Sequence, residues 1–159
     1  MFKEMRRKAQ QLSLQESEKI LENASSGVLS LCADNDYPYG VPLSFAYSNG
    51  KIYFHCAPEG HKIDAIKSCS KASFCVIARD SVVSKEYTTY YKSVIVFGRI
   101  SIIESKAEKK AAIRFLSDKY CPNEKNADEV IEAYSDKFVM LELSAEHITG
   151  KCAKELIKK

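Results

Sequence analysis

Residues 37–62 read YPYGVPLSFAYSNGKIYFHCAPEGHK, and this stretch decides the fold. Apolar residues recur at every second position through Val41, Leu43, Phe45 and Tyr47, the period of a half-buried strand. Ser48, Asn49 and Gly50 follow. Asn-Gly is the strongest short signal for a hairpin turn, because both residues tolerate positive φ. A second strand is predicted over residues 51–56. Pro58 and Gly60 then break it, and His61 and Lys62 open an amphipathic segment carrying Ile63, Ala65 and Ile66. A helix start offers unpaired backbone N–H groups and the positive end of the helix dipole. A lysine there opposes the dipole unless an anion sits beside it, so His61 and Lys62 point to a phosphate seat. In chain order the segment supplies an apolar wall for a flat ligand, a strand end and an anion site.

Composition sets ordinary bounds. A chain of 159 residues is long enough for one domain with a real core, taken here as residues 1–159. Charged residues at 28% and aromatics at 10% match a globular chain rather than a disordered one. Net charge is +3 with basic residues spread along the sequence, which argues against nucleic acid as a partner. No apolar run reaches membrane-spanning length and no secretory apolar core opens the sequence; a cytoplasmic protein is expected. The six cysteines, at 32, 56, 69, 75, 121 and 152, form no C-x-x-C pair. Most of them read as small buried hydrophobes in strands. His55 and Cys56 are strand neighbours and point to opposite faces, so they cannot chelate one ion together, and no metal site is expected.

The remaining elements are legible from caps and periodicity. Ser13 to Glu16 is a capping box that opens a helix to about residue 24. A strand is expected over residues 27–33, closed by a turn at Asp34, Asn35 and Asp36. Residues 61–69 read as a helix, 72–78 as a strand and 79–86 as a polar loop. Residues 87–104 hold a long strand with apolar residues on both faces, predicted to be buried on both sides. Gly98 in its middle marks a bulge or bend. Ser105 and Glu108 form a second capping box for a helix to about Tyr120, and residues 124–135 are a candidate helix. Residues 138–144 alternate as a strand, which residues 148–151 extend. Antiparallel strands with few, peripheral helices predict a mainly β (α+β) chain, a small antiparallel barrel of about six strands. No G-x-G-x-x-G follows a strand, so a Rossmann dinucleotide site is not expected. No G-x-S-x-G elbow marks a nucleophile either.

Taken together, these pieces resemble the FMN-binding split-barrel family related to pyridoxamine-5′-phosphate oxidase, on the branch of Nim-type nitroimidazole-resistance reductases. The matching segments are Met5, Arg6 and Arg7 with the capped first helix, then YPYGVPLSFAY, NGKIYFHCAPEGHKIDAIK, YKSVIVFGR at 91–99 and HITGK at 147–151. The resemblance spans almost the whole chain and implies a six-stranded split β-barrel. It implies a homodimer with FMN at the subunit interface. Val41, Pro42, Leu43, Ser44 and Phe45 would lie along the isoalloxazine, largely through backbone groups. Phe54 and His55 would sit near the ribityl chain, and His61 and Lys62 at the phosphate. Ser93 stands where related oxidases carry a longer polar residue against the flavin. His55 is the candidate catalytic residue, as proton donor or as a holder of the acceptor.

The implied activity is reduction of small aromatic or nitro compounds by an FMN-dependent oxidoreductase. The alternatives are a non-catalytic flavin-binding module and a haem-binding split barrel. Pyridoxamine phosphate oxidation itself is disfavoured. Those enzymes close the substrate site with a C-terminal Arg and Trp, and this chain has no Trp and no Arg after Arg114. Single residues keep plainer readings: Pro42 as an ordinary edge-strand proline, Ser44 facing solvent, and Tyr87, Tyr90 and Tyr91 as packing or interface rather than a substrate pocket.

Overall fold

The computed structural model describes residues 2–33 and 37–157; the predicted turn at Asp34, Asn35 and Asp36 lies outside them. The described elements are β1 (Gln11–Leu12), α1 (Leu14–Asn23), β2 (Ser26–Cys32), β3 (Pro38–Ser44), β4 (Ala46–Ser48) and β5 (Lys51–Cys56). They continue with α2 (His61–Ser68), β6 (Lys71–Val83), β7 (Thr88–Ile102), α3 (Lys106–Tyr120), α4 (Ala127–Ala133) and β8 (Val139–Cys152). The strands form one antiparallel sheet in the order β3-β2-β6-β7-β8-β5-β4, with β1 added on β8. This is the split-barrel architecture, with eight described strands in place of the expected six. The two extra ones, β1 and β4, are only two and three residues long.

The opening hairpin folds differently from its sequence reading. Asn49 and Gly50 both take positive φ, 49° and 78°, as the Asn-Gly turn demands, and β4 pairs with β5 through Ala46, Tyr47 and Ser48. Residues 38–44, however, pair with β2 in register Ser26 to Ser44 through Cys32 to Pro38. The predicted first strand is thus cut at Phe45, and its two parts serve opposite ends of the sheet. Alternation cannot reveal this, because a strand shows period two whichever neighbour it bonds. No ladder joins β3 to β4, so the barrel is joined there by chain continuity and not by strand pairing.

Two further expectations change. Residues 79–83 are strand, not loop: β6 runs to Val83 and pairs with β7 down to Thr88, with a register shift between Ile77 and Arg79. This ribbon extends past the core, so its side chains need no apolar alternation. The β7 strand is buried on one face only. Val94, Val96 and Ile100 are buried, whereas Ile95 and Phe97 are about 40% exposed. The irregularity foreseen at Gly98 is present, but the additional residue is on the partner strand. Phe97 pairs with His147 and Gly98 with Ala145, which leaves Glu146 as the bulge. Gly98 is needed because a Cβ there would lie 2.1 Å from the Ser144 carbonyl oxygen.

The barrel interior is built around Phe74, which meets Phe45 and Phe54 edge to face at ring separations of 4.7 and 5.1 Å. All three rings are fully buried, a geometry that aromatic quadrupoles favour. A smaller cluster of Tyr53, Ala112, Leu116 and Met140 seats α3 on the outer side of β5. The α1 capping box is complete: Ser13 Oγ accepts from the Glu16 N–H, and the Ser13 N–H donates to the Glu16 carboxylate. At α3 only half of the second box forms, Ser105 Oγ accepting from the Glu108 N–H.

Candidate functional site

The candidate residues fall into three groups. In the first, β3 is a sheet edge. One rim of its backbone bonds β2 and the other is unpaired, so Pro42, which has no N–H to give, sits where a sheet tolerates it. Side chains alternate along β3. Val41 and Leu43 pack against the core, while Pro42 and Ser44 are exposed. Cα partners continue from Pro42 through Val28, Cys75 and Ile95 to Thr149. A second row runs from Ile77 through Ser93 to Lys151. Pro42, Ser44 and Ser93 therefore share the outer face of the sheet. Val28, Ile77, Ile95 and Phe97, 39–68% exposed, form the apolar part of the same face. At its rim Phe2 stacks on His147, with ring centroids 4.8 Å apart.

The second group gathers where α2 begins. Gly60, with φ of 114°, precedes the helix, a conformation that L side chains rarely adopt. His61, the first helical residue, meets Tyr39 of β3 edge to face at 4.5 Å. This contact brings the basic helix start against the edge strand. Lys62 is half-buried and makes no ion pair among the described residues. It lies close enough to the end of β5 to act on the Cys56 thiol. Burial raises the pKa of Cys56, and the Lys62 charge opposes that rise.

The third group separates from the others. Phe54 is fully buried in the core, so its side chain offers nothing to a ligand. His55 is exposed on the opposite face of β5 from Phe54 and Cys56, the face on which Tyr53 packs under α3. Phe45 is likewise interior, and its backbone is already engaged. Its N–H donates to Tyr120 Oη at 3.0 Å, and the Tyr120 hydroxyl lies within donating distance of the Phe45 carbonyl (2.9 Å) and the Ser25 carbonyl. Of the 41–45 strand, then, residues 41–44 line the free rim and Phe45 closes the seam. Tyr120 had no signal in the sequence beyond ending a helix, because its partner is 75 residues away.

Three clefts, of about 600, 650 and 680 Å³, lie elsewhere on the surface, and none is lined by a candidate residue. The first, against α1, reaches Ile77 and Lys92, which adjoin Ser93. Among the described residues no three His, Cys, Asp or Glu side chains gather as a metal ligand set. No described helix is long and apolar enough to cross a membrane.

The description of the pyridoxamine 5′-phosphate oxidase family matches residues 13–152, most of the chain, and the chain belongs to that family. An uncharacterised protein of Rhizobium meliloti (strain 1021) is 32% identical over 88 residues, 55% of this chain and 53% of its own length; the chain thus spans about half of that curated relative. Two solved structures show the shared fold. One is a candidate 5-nitroimidazole antibiotic resistance protein from Bacteroides thetaiotaomicron, with TM-score 0.77 and 22% identity over 89% of this chain and 86% of that one. The other is the FAD and haem binding protein from Mycobacterium smegmatis, with TM-score 0.76 and 18% identity over 94% and 76%.

Proposed function

We propose that this member of the pyridoxamine 5′-phosphate oxidase family is a cytoplasmic, homodimeric FMN-binding oxidoreductase that reduces small aromatic or nitro compounds. The contact between Tyr39 and His61 carries the reading, because it brings a basic helix start against the edge strand. The residues present fit the cofactor. An isoalloxazine is flat, and β3 offers it the unpaired rim of residues 41–44 together with Pro42 and Ser44. A phosphate dianion would take the first N–H groups of α2 and the unpaired Lys62, with His61 beside it. Ser93, on the same outer face, would donate a hydrogen bond to the ring edge. A bound flavin supplies two-electron transfer to a flat acceptor. The protein's part is to hold the ring, exclude water from one face and place donors where charge develops. His55, on the other face of β5, serves in this reading at the substrate side, as a proton donor or a holder of the acceptor.

A second copy of the chain is the partner that accounts for the outer face. Val28, Ile77, Ile95 and Phe97 form an apolar surface beside Pro42, Ser44 and Ser93, and an apolar face of this kind is suited to an interface. Covering it would give β7 the two-sided burial that its sequence predicts. It would also enclose a flavin lying along β3.

The test is the visible spectrum of protein purified without added cofactor, with any released chromophore identified by chromatography, and the mass in solution. FMN released from a species of twice the chain mass supports the reading. A monomer that neither carries nor takes up FMN overturns it. A haem band in place of flavin would favour the second reading, which the FAD and haem binding relative suggests. Lys62→Ala is expected to weaken FMN binding by roughly 1.5–3 kcal/mol, the worth of a charge-assisted contact; unchanged affinity would move the phosphate elsewhere.

A further inference from the structure

We infer that Tyr120 and Lys119, at the C-terminal end of α3, are positioning residues for the flavin site; this rests on the reading of β3 as the wall of that site. The candidate residues lie on both sides of the break at Phe45. Pro42 and Ser44 precede it on β3, and His55, His61 and Lys62 follow it on β5 and α2. No strand pairing spans the break. Helix α3 spans the break instead: its Ala112 and Leu116 pack with Ala46 of β4 and Tyr53 of β5, while its last turn holds Phe45 and the approach to β2.

Tyr120 Oη accepts the Phe45 N–H and faces the carbonyls of Phe45 and Ser25, so one hydroxyl ties the end of β3 to the approach to β2. Lys119 Nζ donates to the Ala24 carbonyl at 2.6 Å and lies over the Phe45 ring at 4.2 Å. Ala24 is the C-cap of α1, an end that favours a cation. With the α3 body seated on β4 and β5, these contacts tie the end of β3 to the other side of the break. They fix the peptide next to Ser44, the last residue on the free rim. A ligand held by both sides of the break feels any change in their separation as a loss of fit, and small misplacements of a positioned group have large effects. Neither residue touches the proposed cofactor; they act through Phe45 and Ser44.

Full-length Tyr120→Phe is the first variant, because it keeps the ring and removes only the hydroxyl. Lys119→Met is the second, keeping the stem and removing the donor. Ser105→Ala is the control, since it removes a cap at the other end of the same helix. FMN affinity by fluorescence titration and the reduction potential of the bound flavin are measured, with unfolding curves for all three. Tyr120→Phe is expected to raise the FMN Kd about tenfold, within the usual range of coupling between sites, and to shift the potential. Lys119→Met should do the same more weakly, and Ser105→Ala should lower stability while moving neither flavin quantity. Stability losses with unchanged Kd and potential in both variants would make Tyr120 and Lys119 merely structural and overturn the inference. A wild-type protein that binds no FMN overturns it together with the cofactor reading, and the wild type alone reveals that outcome.

Discussion

The two sides of this barrel are held by different means. On one side β6 pairs with β7 over 12 positions and β7 with β8 over 11, nearly strand end to strand end. On the other, β3 and β4 meet at a single residue and share no ladder. Ladder bonds repeat, so losing one leaves its neighbours in place. The seam is held by single contacts, among them the Tyr120 hydroxyl on Phe45 and the Tyr47 hydroxyl on Glu18 of α1. The difference shows how a barrel can stay stable while leaving an edge strand open: the long ladders supply the frame, and β3 is bonded along one rim only, leaving the other free.

The harshest way to break this comparison is Gly98→Ala. The new Cβ would meet the Ser144 carbonyl at 2.1 Å and the Ala145 Cα at 3.1 Å. Both are backbone, so the β7–β8 ladder must part locally. Overpacking of this kind is expected to cost about 3 kcal/mol or more, read as a large drop in thermal midpoint or as insoluble protein. A shift of only a few degrees would mean that this side is not the rigid frame. Tyr120→Phe tests the seam and is expected to cost about 1–3 kcal/mol, since it leaves the Phe45 N–H without its acceptor. Hydrogen exchange should then quicken at Phe45 and not along β7; equal acceleration in both would make the barrel one cooperative unit. Ser13→Ala removes the α1 capping box, which lies in neither the ladders nor the seam, at an expected cost of about 1 kcal/mol in a denaturant titration.

A pH series sharpens the comparison further. Burial and a hydrogen bond donated to Glu18 push the Tyr47 hydroxyl up to about 12 from an ordinary 10. The folded chain therefore holds this proton more tightly than the unfolded one. Its contribution is fully present below pH 10 and is lost as pH rises toward 12. Tyr47 lies on β4, so alkaline conditions should loosen the seam side first, and Tyr47→Phe should flatten the stability profile over that window. An identical profile in the variant would reject the assignment. The smallest expected effect is at the exposed pair of Lys51 and Glu142, 2.9 Å apart. Replacing Lys51 with Ala should change stability by no more than about 1 kcal/mol, and less in high salt.

What the sequence disclosed followed the range of the signal. Caps and turns are local: Ser13 with Glu16, Ser105, and Asn49 with Gly50 all formed where their chemistry requires. Gly98 announced a bulge but could not say that Glu146, nearly 50 residues on, would be the extra residue. Phe45 looked like any inward position of a strand, because burial period is blind to which neighbour supplies the hydrogen bonds. The ribbon of residues 79–83 looked like a loop because polar side chains there have no core to face. For the candidate site, alternation along β3 and β5 already divides Pro42 and Ser44 from Val41 and Leu43, and His55 from Phe54. The meeting of Tyr39 with His61, and the role of Tyr120, depend on tertiary contacts that no local pattern encodes.

The seam at Phe45 also bears on how chains of this shape tolerate changes in length. One residue inserted in β7 would turn Val94, Val96 and Ile100 outward, since a slip of one reverses every face. At the seam, β3 keeps its register with β2, and β4 keeps its own with β5, whether or not a residue is added between them. Insertions and deletions within the strands of such barrels are therefore expected to collect at this one junction, which makes it the natural place to widen the barrel or graft a loop beside the proposed cofactor strand.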